Sequence, residues 1–435
     1  MARFIVASTP IFGHIEPMRV VAADLVRRGH SVTFLTGTTY EDAVERTGST
    51  FVPLLGNADL TPERLARVQS EQSAIAPGPA RVEHGLRSTI IDAVPEQFAA
   101  LQRIFAQHLE EPIVVIHETL FGGAWPILLG APGLRPRGVV GVGVIPLTLN
   151  SIDTAPFSFA LPPDSSPEGR QRNRALIDQG MQALAPAQAY FESVLRRLGA
   201  VREPPFILDA MTLLTDRYLQ LTIPSLEYPR GDAPAGLRFV GALPPAPQEW
   251  SVLPEWWPDV LRAERVVVVT QGTISNKDYG ELIEPTLRAL AGTDVLVVAT
   301  LGRAANITSL PGNARVAPFV PFDALLPHTD VLVTNGGYGG AQLALGHGVP
   351  LVLAGVSEDK AEVTARVAWA GAGINLATQT PDEASIRNAV DAVLNTPRYR
   401  ARARELQLEY ARHDALGAIH ATIADMLRDD RNSNP

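Results

Sequence analysis

The segment Val333-Thr-Asn-Gly-Gly-Tyr-Gly-Gly-Ala-Gln-Leu-Ala-Leu-Gly-His-Gly-Val-Pro350 decides the fold of this chain. Residues 331–334 form a short apolar run that predicts a buried strand, and residues 341–347 predict a helix that ends at Gly348. Between them lie four glycines: Gly336, Gly337, Gly339 and Gly340. A strand that turns through glycines into a helix presents backbone N–H groups and the positive end of the helix dipole, which together hold phosphate. The glycines alone leave open a simpler reading, a tight connection that needs glycine for its backbone.

The composition indicates a folded protein that does not act on nucleic acid. The chain has 435 residues, of which 46% are hydrophobic and 19% charged, as expected of two globular domains. A net charge of −9 without a basic block argues against nucleic acid as a partner. The chain has no cysteine, which excludes disulfides and thiolate metal sites. The N-terminal apolar run is too short for a signal peptide and no apolar stretch is long enough to span a bilayer, so we expect a cytoplasmic protein.

Strands and helices alternate in two separate runs along the chain. The first run begins with a strand at residues 4–7, a glycine loop, a helix from Pro17 to Arg28 and a strand at 31–35, which together predict a βαβ unit. The second run contains predicted strands at about 265–270, 294–300, 314–319, 330–334 and 350–354. We therefore predict an α/β protein with two doubly wound domains and a ligand site in the cleft between them.

The predicted domain boundaries follow from composition. Residues 1–225 form the first domain, the Pro- and Gly-rich residues 226–250 a linker, and residues 251–395 the second domain. Residues 396–435 predict a C-terminal helical segment that packs back across the domains. The polar residues 56–85 predict a long irregular loop or lid, and residues 150–170 a second loop.

Four motifs in order resemble those of the bacterial small-molecule glycosyltransferases of family 1, the group that includes macrolide and flavonoid glycosyltransferases. The motifs are Gly13-His14 followed by Pro17; Phe319-Val-Pro321 with Leu325-Leu-Pro327 and Asp330; the Asn335 segment; and Asp359-Lys360 with Arg366-Val367 and Gly371-Ala-Gly373. The resemblance implies the GT-B fold, with two Rossmann-like domains facing across a cleft. It implies that the first domain binds an acceptor and the second a nucleotide diphosphate sugar as co-substrate, without a resident cofactor.

The resemblance implies that His14 is the general base of an inverting transfer, because an imidazole accepts a proton near neutral pH. A carboxylate at the end of a strand often holds this histidine in the family, and Glu118 stands where the family usually has Asp. Successive strand residues point to opposite faces, so we expect only one of His117 and Glu118 to face His14. We therefore expect Glu118 to be the partner and His117 to be structural.

The resemblance also implies a donor site in the second domain. Gly272 and Thr273 resemble a phosphate loop, Phe319 and Val320 would lie against the nucleotide base, and the Asn335 segment with Gly336, Gly337, Gly339 and Gly340 would hold the diphosphate. Asp359 would bind sugar hydroxyls. The chain departs from the family at Asn335, where His is usual, at Gly340, where Ser is usual, and at Lys360, where Gln is usual. Only Lys277 and Lys360 are lysines, so we expect one of them to supply the positive charge that Asn335 lacks.

The acceptor site and the partners are predicted less directly. Five aromatic residues of the first domain could line an apolar acceptor pocket, although aromatic residues also fill ordinary cores. They are Phe12, Phe121, Trp125, Phe157 and Phe159. No His, Asp or Glu cluster and no Asp-x-Asp pattern marks a metal site, so we expect metal-independent chemistry. We expect UDP-glucose as donor, a hydrophobic hydroxylated acceptor such as a polyketide or flavonoid, and a monomer or homodimer.

Two other functions remain open from the sequence. A nucleotide-sugar epimerase of the same fold would share the donor domain but would need no apolar acceptor pocket. A catalytically degenerate helper protein would explain Asn335 and Lys360, although His14, Glu118 and Asp359 argue against it.

Overall fold

The chain is described by a computed structural model that covers residues 2–76, 78–245, 252–272, 276, 278–302, 307 and 309–428. Its strands form two sheets in which every pair of neighbouring strands is parallel. The strands are β1 Arg3–Ala7, β2 Ser31–Thr36, β3 Thr50–Pro53, β4 Ile113–Glu118, β5 Gly138–Gly143, β6 Arg217–Gln220, β7 Leu237–Phe239, β8 Val266–Thr270, β9 Leu296–Thr300, β10 Ala314–Ala317, β11 Val331–Thr334, β12 Leu351–Leu353 and β13 Gly373–Asn375.

The first sheet has the order β3-β2-β1-β4-β5-β6-β7 and the second the order β10-β9-β8-β11-β12-β13. Crossover connections, most of which contain helices, join the parallel strands. The helices are α1 Phe12–Arg27, α2 Glu41–Glu45, α3 Pro62–Ala74, α4 Pro79–Thr89, α5 Val94–Gln107, α6 Trp125–Leu128, α7 Pro167–Ala183, α8 Ala185–Arg197, α9 Ile207–Leu213, α10 Trp257–Arg262, α11 Ile283–Ala289, α12 Phe322–Leu325, α13 Tyr338–Gly346, α14 Lys360–Trp369, α15 Glu383–Asn395, α16 Pro397–Tyr410 and α17 Ala415–Arg428.

Each sheet is buried on both faces, which explains the continuous apolar strands. In β1, Phe4 and Val6 belong to one core cluster while Ile5 and Ala7 belong to another. This alternation follows from the two-residue period of a strand. The second sheet repeats the arrangement, with alternate valines of β8 in two different clusters. Both sheets therefore present their strand ends, rather than a face, to a ligand.

Two segments of the first domain differ from their predicted secondary structure. Helix α1 begins at Phe12 instead of Pro17, so Gly13 and His14 lie in its first turn and Pro17 lies inside the helix. The segment 56–85, predicted to be an irregular loop, contains α3 and the start of α4. The Thr61 side chain accepts a hydrogen bond from the Arg64 N–H and Pro62 occupies the first helical position. That cap outweighs the polar composition on which the loop prediction rested.

The predicted linker also needs correction. Strand β7 lies within residues 226–250 and pairs with β6, so the first sheet extends to Phe239. The C-terminal helices divide between the domains. Helix α16 places Ala403 and Leu406 in a core cluster of the second sheet, whereas α17 places Ile419 and Ile423 against the first sheet. The chain therefore returns to its first domain before it ends.

Candidate active site

A buried pair, His14 and Glu118, lies at the carboxyl ends of the central strands of the first sheet. Strands β1 and β4 are neighbours, with Ala7 beside His117, so the start of α1 after β1 meets the end of β4. The His14 Nδ1 lies 2.6 Å from the Glu118 Oε2. Glu118 has no exposed surface and accepts two further hydrogen bonds, from the N–H of Thr9 at 3.0 Å and of Leu120 at 2.8 Å. These contacts fix the carboxylate and, through it, the imidazole ring.

The ionisation of the two side chains suits His14 to accept a proton. Burial alone raises the pKa of Glu118, but the His14 charge and three hydrogen bonds outweigh it and hold the Glu118 pKa below its usual value. An ionised Glu118 carries no proton, so the His14 Nδ1–H must donate to it. Burial alone lowers the pKa of His14, but the charge and hydrogen bond of Glu118, with smaller effects of Asp359 and Glu358, raise it above its usual value. In neutral His14 this arrangement leaves the Nε2 lone pair free to accept a proton.

His117 points to the opposite side of the strand and belongs to the core. It is fully buried, its Nδ1 lies 2.8 Å from the Glu118 carbonyl oxygen, and its ring packs against Phe121. Burial lowers the pKa of His117, so the ring is neutral. The structure therefore brings His14 and Glu118 together and keeps His117 apart from them.

The glycine segment of the second domain forms an open helix start. Gly336 has φ of +85° and a Cβ there would lie 2.6 Å from the Thr364 methyl group, so this position requires glycine. Helix α13 begins at Tyr338 instead of the predicted 341, and no side chain caps its N-terminus. A Cβ added at Gly337, Gly339 or Gly340 would meet nothing within 4 Å. The first N–H groups of α13 therefore face open space of the kind that accommodates an anionic group.

Asn335 is engaged within the protein. It is 4% exposed, and its Nδ2 donates to the Gln271 carbonyl oxygen at 2.6 Å. Gln271 in turn accepts from the Ile283 N–H and donates to the Asp278 carbonyl. Asn335 thus ties the loop after β8, which includes Gly272 with φ of +71°, to the end of β11. The predicted phosphate ligands Thr273 and Lys277 lie outside the described residues.

Asp359 and Lys360 stand at the start of α14. The Lys360 side chain is 6% exposed and its ammonium pairs with the Glu358 carboxylate. Glu358 has φ of +56°, a strained geometry for a non-glycine residue. Burial and the Glu358 charge raise the pKa of Asp359, although Lys360 and His14 act in the opposite direction. The charges of His14 and Asp359 each affect the pKa of the other, so these residues of the two domains lie near each other.

The structure buries two of the five aromatic residues of the predicted acceptor pocket. Phe121 and Trp125 have no exposed surface, and each packs in a core cluster of the first domain, Trp125 against Phe191. They cannot contact an acceptor, so the prediction is wrong for these two residues. Phe12 is 42% and Phe159 38% exposed, and Phe157 is half-buried, so these three keep surface for a ligand.

In the second domain, Phe319 is 39% exposed whereas Val320 is buried. Both follow β10, at the same edge of the sheet as Gly272 and Asn335. No group of three or more His, Asp or Glu side chains that could hold a metal ion occurs within the described part of the chain.

Sequence reasoning missed a buried set of charges where the two domains meet. Glu362, Arg366 and Glu227 are 3%, 2% and 1% exposed and are linked by ion pairs. Three charged groups so deeply buried at one place need a reason, because their desolvation is costly. The sequence signal was an arginine within the stretch Val-Thr-Ala-Arg-Val at 363–367, which overlaps the fourth motif.

Comparison with known proteins identifies the family. A family described as "Erythromycin biosynthesis protein CIII-like, C-terminal domain" matches residues 284–421. "UDP-glycosyltransferase 2" of Phaeomoniella chlamydospora is 45% identical over 433 residues, which covers 97% of this chain and 95% of that protein. "4'-demethylrebeccamycin synthase" of Lentzea aerocolonigenes is 40% identical over 95% of this chain and 97% of its own length. The chain belongs to the family 1 glycosyltransferases and is an enzyme of that class.

Solved structures support the fold. The glycotransferase of kitacinnamycin superposes with a TM-score of 0.73 over 98% of both chains, at 21% identity. The predicted GT-B architecture of two Rossmann-like domains is confirmed. The restriction to bacterial relatives is not supported, because the relative at 45% identity is fungal. Among the described residues, no helix has the length and apolar character needed to cross a membrane.

Proposed function

We propose that this enzyme transfers a sugar, with inversion, from a nucleoside diphosphate sugar to a hydroxyl group of a hydrophobic small molecule such as a polyketide or flavonoid. UDP-glucose is the favoured donor. The names of the relatives support a uridine nucleotide, and a structural neighbour was solved in complex with DTDP. The observation that carries the proposal is the buried pair in which the His14 Nδ1 lies 2.6 Å from the Glu118 Oε2.

In the proposed reaction, the acceptor hydroxyl lies between the His14 Nε2 and the anomeric carbon of the donor. The Nε2 takes the hydroxyl proton while the acceptor oxygen bonds to the anomeric carbon. The bond from that carbon to the diphosphate oxygen breaks, and its electron pair leaves with the nucleotide. Attack opposite the leaving group inverts the configuration of the carbon. Glu118 stabilises the imidazolium that forms on His14.

The second domain would bind the donor. The free N–H groups at the start of α13 would hold the diphosphate and stabilise the charge that it gains. Asp359 would accept hydrogen bonds from sugar hydroxyls, and the exposed Phe319 would contact the nucleotide base. Phe12, Phe157 and Phe159 would contact the apolar body of the acceptor. Asn335 would act mainly by holding the loop of Gly272 in place.

The test combines the purified protein with UDP-glucose, dTDP-glucose and a panel of phenols and flavonols. Nucleotide release is measured with and without acceptor, and products are identified by mass spectrometry and by the NMR coupling of the anomeric proton. Acceptor-dependent release of nucleotide with a β-glucoside from an α-linked donor supports the proposal. Free sugar or an epimerised donor formed without acceptor would instead support the epimerase. No nucleotide release with any donor would support a helper protein.

A further inference from the structure

One carboxylate of the second domain holds a loop of the first domain. The segment 150–166 between β5 and α7 contains no helix or strand and carries Phe157 and Phe159. The backbone N–H groups of Ser158 and Ala160 both donate to the Glu362 Oε1, each at 2.8 Å. Glu362 lies in α14, in the other domain. Two N–H groups that converge on one anionic oxygen form an anion-binding turn, here filled by a side chain.

The loop is strained at the two residues that make this contact. Ser158 has φ of +82° and Ala160 has φ of +52°, and neither is glycine. A residue with a Cβ adopts this left-handed region at an energetic cost, and such geometry persists where neighbouring groups enforce it. The two bonds to Glu362 are the interaction that enforces it here. They fix the backbone on both sides of Phe159.

Glu362 is held by Arg366 of its own helix, and Arg366 is bound in turn by the first domain. Its Oε2 accepts a hydrogen bond from the Arg366 Nη1 at 2.6 Å, and the Arg366 Nε donates to the Glu227 Oε1 at 2.9 Å. The guanidinium of Arg366 stacks on the ring of Tyr228, 4.2 Å from its centre. Glu227 lies between β6 and β7, both strands of the first sheet. The first domain therefore contacts α14 at two residues, Glu362 and Arg366.

This contact joins the two halves of the candidate site. The Glu362 N–H donates to the carbonyl of Asp359 at 3.1 Å, so Glu362 lies one helical turn after the residue that would bind the sugar. The loop that it holds carries two aromatic residues that would bind the acceptor. We propose that Glu362 is a positioning residue that fixes the acceptor-side loop on the donor-side helix and so sets the affinity for acceptor. This inference rests on the proposed function for the identities of the two ligands.

The loop side of the contact offers a matched pair of variants. Ala160→Gly keeps the N–H and relieves the left-handed strain. Ala160→Val keeps an N–H as well, but a β-branched residue does not adopt positive φ, so the turn must open. Ala160 is partly exposed on a loop, so neither change threatens the core. Glu362→Ala removes the acceptor of both bonds, and Glu383→Ala, which breaks an exposed ion pair with Arg288, serves as a surface control.

The experiment measures steady-state kinetics with UDP-glucose and kaempferol, and UDP affinity by calorimetry. In Glu362→Ala and Ala160→Val, the KM for kaempferol should rise about 10- to 100-fold, the size expected for loss of hydrogen bonds to a charged group. UDP affinity should not change, and kcat should fall less than the KM rises. Ala160→Gly and Glu383→Ala should resemble the wild type. The double variant Glu362→Ala/Ala160→Val should be no worse than Glu362→Ala, because Glu362→Ala already removes the contact that Ala160→Val breaks.

Hydrogen exchange at the amides of residues 158 and 160 tests the contact without any substrate. Both amides should be protected in the wild type and in Ala160→Gly, and exposed in Glu362→Ala and Ala160→Val. Equal exchange in the wild type and Glu362→Ala would overturn the contact. Altered exchange with an unchanged KM for kaempferol, or an equal loss of UDP affinity, would overturn the positioning role. Absence of any sugar transfer by the wild type would count against the proposed function, and hydrogen exchange would still decide whether Glu362 holds the loop.

Discussion

Replacement of Glu118 by glutamine should change both the rate and its dependence on pH. The Glu118 Oε1 accepts one N–H, from Thr9, and its Oε2 accepts two, from Leu120 and from the His14 Nδ1. A glutamine amide has only one oxygen for these three donors. Its NH₂ group must therefore either face a backbone N–H or donate to the His14 Nδ1, and in the second case His14 adopts the tautomer with a proton on Nε2. That tautomer cannot accept the acceptor's proton through Nε2.

The expected loss of activity in Glu118→Gln follows from the groups that stay in the site. His14 stays in the site, so Glu118→Gln should lower kcat by about 10- to 1,000-fold, less than the full contribution of a general base. One unsatisfied buried donor should lower the free energy of unfolding by about 1–3 kcal/mol. Glu118→Asp is the matched control, because it keeps the charge but shortens the side chain by one methylene, and it should retain part of the activity.

The sign of the pH effect is set by the causes of the His14 pKa. The base must be neutral, so kcat/KM of the free enzyme falls as the pH drops through the His14 pKa, which Glu118 raises. Without the Glu118 charge, burial dominates and lowers that pKa, so the acid limb of the profile should move to lower pH. The profile of kcat/KM, measured by nucleotide release between about pH 5 and 9, records this shift. An acid limb that stays in place or moves to higher pH, in a folded variant, would refute the assignment of Glu118.

Three further predictions concern the other residues of the site. Lys360→Gln removes the ammonium that pairs with Glu358 and should weaken UDP-glucose binding or change the preferred sugar, and adding Asn335→His should recover part of the loss. Calorimetry with a panel of nucleotide sugars measures both effects, and additive damage in the double variant would count against compensation. Turnover should survive EDTA, because the start of α13 offers N–H groups for the diphosphate; loss on chelation that Mg²⁺ or Mn²⁺ restores would contradict this. Phe159→Ala should raise the acceptor KM with little change in unfolding temperature, whereas Phe121→Ala should destabilise the fold by about 3–5 kcal/mol. Thermal unfolding and kinetics of both variants test this, and a stable Phe121→Ala with an altered acceptor KM would show that Phe121 belongs to the acceptor site.

The sequence predicts those parts of the site that depend on local pattern. Two doubly wound domains follow from two runs of apolar strands separated by helices, and the glycine segment predicts an open helix start. The family resemblance implied the contact of His14 with Glu118, 104 positions apart, and parallel strands that end at one edge of the sheet make it possible. The alternation of a strand also separates Glu118 from His117.

Other features depend on contacts that local patterns do not contain. An apolar aromatic residue suits a core and a pocket equally, so Phe121 and Trp125 were misplaced. The helices of residues 62–89 were missed because their polar composition outweighed the cap at Thr61. The contact of Glu362 with residues 158 and 160 joins segments about two hundred positions apart. It involves only the backbone of the loop, so the side chains of the loop give no sign of it in the sequence.

The central claim, that His14 is the base of a sugar transfer, is tested most directly by His14→Ala. Turnover of UDP-glucose with a phenolic acceptor and UDP affinity are measured on the same folded preparation, with His117→Ala as a neighbouring histidine control. We predict that His14→Ala loses about 10²–10⁴-fold in kcat and keeps its UDP affinity, because His14 belongs to the domain opposite the donor. Near wild-type turnover of His14→Ala, or an equal loss in His117→Ala at unchanged stability, would contradict it.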